Sequence, residues 1–207
     1  MHLRSDSFAP YDRLDTRLAF GKHHPKDHFT LAGNRNPHLA WSGVPDGTRS
    51  FALICVDHDV PSEGTDVNQE GRTVPVDLPR VKFYHWVVAD LPASLRTIAE
   101  GSHSEGVTPR GKDAGPTPDG GVQGINSFTD WFDGDDDMEG KYAGYDGMAP
   151  PWNDARLHAY RFQVYALDVD GLNLPEGFTG PDLVEAIEGH VLAEAELIGL
   201  YAINPDV

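Results

Sequence analysis

The 207-residue chain alternates short apolar runs with longer polar stretches, and the apolar runs have the length and composition of strands. Phe51–Val56 is uninterrupted and rich in β-branched and aromatic residues, as is Phe83–Ala89, and both are bounded by Gly, Pro and Asp clusters. Arg161–Leu167 alternates, with Phe162, Val164 and Ala166 on one face and Arg161, Gln163 and Tyr165 on the other. Near the end, Gly180-Pro181-Asp182-Leu183 reads as a helix start, with proline in the first helical position and an acid in the first turn; Gly189 is a plausible stop. Ala193–Tyr201 then alternates like a strand, although an all-helical reading of it stays open. No repeat and no βαβ alternation is present, so the pattern predicts a mainly β fold of packed antiparallel sheets with one or two short helices near the C-terminus.

Residues 101–147 break this rhythm: they are rich in Gly, Pro and acids and poor in apolar residues. A long irregular stretch of this kind inside a compact fold is usually functional or disordered. Ile125, Phe128, Trp131, Phe132, Tyr142 and Tyr145 predict that its second half packs down, over a pocket or a partner, while residues 111–121 have little to anchor them. The chain is expected to form a single domain over residues 1–207, with 101–147 as an insertion.

Composition narrows the function. A net charge of −17 argues against nucleic-acid binding, which needs clustered Lys and Arg, and against adsorption to an anionic membrane. No apolar run is long enough to span a bilayer, and residues 1–7 lack the apolar core of a secretory signal, so a cytoplasmic location without stable membrane insertion is expected. The single cysteine, Cys55, lies in an apolar run and is expected to pack rather than react.

Three runs carry polar groups suited to chemistry. Phe51–Val56 ends in Asp57-His58-Asp59-Val60-Pro61; His85 lies between Tyr84 and Trp86; and His158 precedes Tyr160 in Leu157-His158-Ala159-Tyr160. Asp57 and Asp59 share a face if the strand continues regularly, and Pro61 implies a turn that breaks it. Each group also has a plainer reading: the two carboxylates as solvated turn residues, the two histidines as buried side chains with satisfied hydrogen bonds. If the runs converge, the carboxylates, imidazoles and the tyrosine hydroxyl form one polar pocket. The same groups can hold zinc in an open site, so a metal-dependent hydrolase competes with a binding protein, although no HExxH and no cysteine ligand pattern is present. No Gly-x-Ser-x-Gly elbow or Walker loop occurs. Asp133–Glu139 begins like a calcium loop, but Met138 stands at its glycine position and Gly144 at its bidentate glutamate. His23, His24, His28 and His38 fall in a polar stretch and are expected at the surface.

The order Asp-x-Asp-x-Pro, aromatic-His-aromatic, Pro150-Pro151 and Leu-His-x-Tyr resembles the phosphatidylethanolamine-binding protein family, and within it the bacterial Raf-kinase-inhibitor-like branch. Asn36–Pro45 and Leu192–Gly199 extend the resemblance over nearly the whole chain. It departs from the usual pattern at His58, where proline is common, and at Ala159, where arginine is frequent. The resemblance implies an antiparallel Greek-key β-sandwich and a non-catalytic surface pocket for a small anionic or phosphate-bearing ligand. It implies that Asp57, Asp59, His85, His158 and Tyr160 form the polar part of that pocket, with Pro61, Trp86, Pro150 and Pro151 as walls. No cofactor is implied; a protein partner and a homodimer are left open.

Overall fold

The computed structural model describes residues 1–207. Its strands are β1 (His2–Arg4), β2 (Gly21–Lys22), β3 (Thr30–Leu31), β4 (Leu39–Ser42), β5 (Ser50–Pro61), β6 (Arg80–Pro92), β7 (Thr97–Ile98), β8 (Gly111–Lys112), β9 (Gly115–Pro116), β10 (Val122–Gln123), β11 (Lys141–Tyr142), β12 (His158–Leu167) and β13 (Val191–Tyr201). Two short helices, α1 (Phe128–Trp131) and α2 (Gly180–Ala186), complete the elements. The mainly β expectation holds, and neither helix is long and apolar enough to cross a membrane.

The large sheet runs β13-β12-β5-β6-β10-β9 with antiparallel pairings throughout; a three-stranded sheet runs β1-β4-β7. Phe51, Leu53 and Cys55 of β5, Trp86 and Val88 of β6, and Phe162, Val164 and Ala166 of β12 pack with Leu39 and Trp41 of β4 and Ile98 of β7, forming the main core. On the other face Ala52, Ile54 and Val56 meet Leu183 of α2 together with Phe178 and Ile187. The central strand β5 is thus buried on both sides, which is why Phe51–Val56 is apolar without alternation. In contrast, β12 alternates: Arg161 and Gln163 on its outer face bond Glu196 of β13.

Full-length pairing with β12 overturns the helical reading of residues 193–201. The period of two wins because Leu197 and Tyr201 enter the core, whereas Glu194 and Glu196 lie exposed on the outer face. Helix α2 begins with a cap that the Gly-Pro-Asp signature did not reveal: Thr179 Oγ1 accepts from the Asp182 amide, and the Asp182 carboxylate accepts from the Thr179 amide at 2.7 Å. Residues 101–147 are not bare loop, since they contribute α1 and β8 to β11; residues 111–121, read as weakly anchored, hold β8 and β9. Their aromatic residues Phe128, Phe132 and Tyr142 cluster with Phe20 and Phe83.

Gly180, at the start of α2, faces the ring of Tyr84 so closely that a Cβ would lie 2.2 Å from its Cδ1. Gly180→Ala is expected to destabilise the protein by about 1–3 kcal/mol, because the buried ring must move against packed neighbours. Urea unfolding of the variant checks this, and an unchanged midpoint would show that α2 is not seated on β6 in this way.

Candidate functional site

At one end of the large sheet, β5, β6 and β12 run past the main core, and their inward side chains change from apolar to polar. Asp57 pairs with Tyr160 across β5 and β12 and with Phe83 across β5 and β6. A register shift between Cys55 and Val56 leaves His85 as an extra residue, because Cys55 pairs with Trp86 and Val56 with Tyr84. Such a bulge re-aims a side chain. Here it turns His85 to the same side as Trp86, where its ring meets Tyr160 edge-on at 5.1 Å and Phe83 at 4.8 Å.

A cavity of about 480 Å³ opens over this end. Asp57, His85 and Tyr160 form its floor, and Pro61, Pro150 and Pro151 lie in its walls. The remaining wall is largely aromatic: Phe20, Phe83, Phe128, Trp131 and Phe132, so the second half of the 101–147 stretch does pack against a pocket. Phe20 and Phe83 were not singled out in the sequence, whereas Phe128, Trp131 and Phe132 were expected to pack over a pocket or a partner. Phe83 is two residues from His85 and on its face. Glu63 and Asp137 add carboxylates, and no lysine or arginine lines the cavity.

Three expected site residues lie elsewhere. Trp86 is fully buried in the core between the sheets, edge-on to Tyr145 and His103, because the bulge that frees His85 leaves Trp86 in the apolar layer. His158 is also fully buried and stands behind Asp57, its Nδ1 2.6 Å from Asp57 Oδ2 and its Nε2 3.1 Å from Asp154 Oδ2. Asp59 turns away: its carboxylate accepts from the Ala159 amide and lies 3.4 Å from Arg156, while its own amide donates to Asp57 Oδ1. A second register irregularity between Asp57 and Val60 separates the two carboxylates that a regular strand would have placed together. Among the other histidines, His23 is exposed and His28 stacks on Trp152 at 4.1 Å.

The buried charges compensate one another. Arg80, from the start of β6, donates to both oxygens of Asp154 at 2.5 and 3.1 Å. Asp57, His158, Asp154 and Arg80 therefore form a continuous chain of alternating charge. Burial opposes a proton on His158, but hydrogen bonds with Asp154 and Asp57 outweigh it and raise its pKa to about 9. Burial pushes the Asp154 carboxyl up, and its bonds to His158 and Arg80 more than reverse this. His85 behaves oppositely: burial holds it below the ordinary imidazole value, with the charge of Asp57 offsetting only part. Its Nδ1 lies 2.9 Å from the Asp146 carbonyl. Burial, then the charge on Asp57 and the nearness of its carboxylate to the hydroxyl, keeps Tyr160 well above the ordinary phenol range, although the buried hydroxyl completes no hydrogen bond of good geometry with the protein. Cys55 is no nucleophile, since burial raises its thiol well above the usual value.

Across the whole chain the description that matches is "Phosphatidylethanolamine-binding protein", over residues 4–202. The chain belongs to the phosphatidylethanolamine-binding protein family. It is 34% identical to a UPF0098 protein of Methanothermobacter thermautotrophicus, covering 97% of this chain and 98% of that one. It is 32% identical to the UPF0098 protein YbhB of Escherichia coli, over 98% of this chain and 100% of the relative. Among solved structures, that of Escherichia coli YbcL, described as a new member of the mammalian PEBP family, matches with a TM-score of 0.69 and 26% identity over 98% of each chain. No three His, Cys, Asp or Glu side chains are gathered so as to hold a metal ion; His158 spends both ring nitrogens on carboxylates.

The raised pKa of His158 fixes a pH dependence of stability. A histidine that holds its proton more tightly when folded stabilises fully below its unfolded value of about 6.5, and that contribution is lost as pH rises through about 9. The melting temperature of the native protein is expected to exceed that of His158→Gln by a margin that is largest below pH 6.5 and shrinks as pH passes 9. A margin independent of pH would mean that His158 is not held protonated between Asp57 and Asp154.

Proposed function

We propose that the protein binds, without turning it over, a small phosphate-bearing ligand in the cavity floored by Asp57, His85 and Tyr160. The Greek-key sandwich, the Raf-kinase-inhibitor-like assignment and a role for the chain as one domain with a protein partner belong to the same proposal. The observation that carries the reading is the Tyr160 hydroxyl. A buried donor without a partner costs roughly 1–3 kcal/mol, and a bound oxyanion recovers that cost by accepting from it. Its raised pKa keeps it a donor throughout the physiological range.

Binding rather than catalysis is supported by how the candidate acid and base are committed. Both Asp57 oxygens are engaged, one by the Asp59 amide and one by His158, so Asp57 is not poised to activate water. The absence of Lys and Arg from the lining and the presence of Glu63 and Asp137 favour modest affinity and a ligand of low charge.

Tyr160→Phe separates binding from stability. The free variant is expected to be as stable as the native protein or more so, because an unpartnered buried hydroxyl is removed. Its affinity for monomethyl phosphate at pH 6 should fall about tenfold, the loss expected of one hydrogen bond of about 1–1.5 kcal/mol. Calorimetric titration paired with thermal unfolding measures both, and an unchanged affinity would remove Tyr160 from the site.

A further inference from the structure

The hairpin of β2 and β3 is anchored at its base and loose beyond it. The Phe20 and Gly21 amides donate to the Met148 carbonyl at 3.0 and 3.1 Å, and Tyr201 Oη donates to the Gly21 carbonyl at 2.9 Å. From Lys22 to Leu31, by contrast, every hydrogen bond stays within the hairpin. A two-stranded ribbon of this kind is marginally stable by itself. Its tip meets the body at His28, whose ring stacks on the Trp152 indole with centroids 4.1 Å apart and planes 15° apart, and whose Nε2 lies 3.7 Å from Glu70 Oε1. His28 has φ +62°, in the left-handed region that few residues other than glycine occupy.

The platform under His28 is braced. The Trp152 amide donates to Asn68 Oδ1 at 3.0 Å, and the Asn68 amide donates to Asn153 Oδ1 at 2.9 Å. Asn153 Nδ2 reaches the carbonyls of Asp66, Gln69 and Arg72 at 2.8, 3.3 and 3.1 Å. Trp152 and the loop that carries Glu70 are thus one unit, and His28 joins the ribbon to it. Both sides border the cavity: Phe29 and Leu31 from the ribbon, Val67, Asn68 and Pro151 from the platform.

A neutral imidazole stacks on indole by dispersion alone and gains little from a carboxylate 3.7 Å away. An imidazolium adds a cation over the ring face and an opposite charge beside Glu70. Imidazoles change charge between pH 5 and 8. We propose that the β2–β3 hairpin is a lid on the cavity and that a proton on His28 latches it to Trp152 and Glu70, narrowing the mouth as pH falls. The titratable groups around the latch are Glu70 from the loop and, within the ribbon, His23, Lys26 and the His24–Asp27 pair at 3.1 Å. Asp66 is taken up by Arg72 at 2.9 Å, and beyond Trp152 the Asp154 carboxylate is committed to Arg80 and His158. The device goes beyond the phosphate reading and needs no particular ligand.

Two measurements test it. Asparagine tolerates the left-handed backbone, so His28→Asn removes the imidazole and keeps the turn. Tryptophan emission of the native protein, taken relative to His28→Asn at each pH, is expected to fall between pH 8 and pH 5.5, because an imidazolium quenches the indole it covers; His24→Gln should leave that fall intact. No fall, or its loss in His24→Gln, would overturn the latch. Ala149→Cys places a thiol in the cavity wall, and methyl methanethiosulfonate, which is uncharged, reports access to it. The labelling rate of Ala149→Cys divided by that of Ala149→Cys/His28→Asn at the same pH cancels the ionisation of the thiol. This ratio should stand near one at pH 8 and drop about five- to tenfold at pH 5.5. A ratio unchanged by pH would overturn the lid.

Discussion

The chain of buried charges from Asp57 through His158 and Asp154 to Arg80 is the constraint on which the rest of the site depends. Each of these groups is almost wholly removed from water, with Arg80 and Asp154 side chains 5% and 1% exposed. Isolated charges cannot be buried so deeply without a cost of several kcal/mol each. Alternation of sign lets them share that cost: two carboxylates face two cations, and the summed charge is zero. Because the members come from β5, β6, β12 and the segment before β12, the chain ties together the strand ends that carry the cavity floor.

Two other devices turn that anchored end into a site. The bulge at His85 brings an imidazole onto the side that regular alternation would have denied it. The Asp146 backbone then fixes which ring nitrogen meets the cavity. The aromatic wall from α1 and Phe132 closes the side that the strands leave open, so the stretch poorest in apolar residues contributes one face of the pocket. The charge distribution follows a consistent logic: cations are spent inside the floor and none lines the cavity.

Much of this was legible in the residues. The unbroken apolar run of β5, the alternation of β12 and the helix signal at Gly180-Pro181 follow from local physics, and Asp57, His85 and Tyr160 come together at one cavity. The errors have specific causes. Trp86 was read as a wall from the resemblance, and nothing local announces the bulge that keeps it in the core, which depends on how β6 registers with β5. His158 and Asp59 were placed in the pocket by the resemblance, whereas the register irregularity after Asp57 turns Asp59 away and His158 stands behind Asp57. Asp154 and Arg80 were missed although Asp154 lies four residues before His158, for a buried carboxylate is recognisable only once its partners are known. The choice between strand and helix for residues 193–201 was decided by pairing with β12, a contact between segments.

A double-substitution cycle on Arg80 and Asp154 tests the central claim most directly. Arg80→Met leaves the buried cluster with an excess negative charge and Asp154→Asn leaves it with an excess positive one, whereas the double variant is neutral again through Asp57 and His158. Each single change is expected to cost about 3–5 kcal/mol in urea unfolding. The double variant should lose at least about 2 kcal/mol less than their sum, since the second substitution removes the charge that the first left unpaired. Losses that simply add would contradict a compensated buried cluster as the foundation of the site.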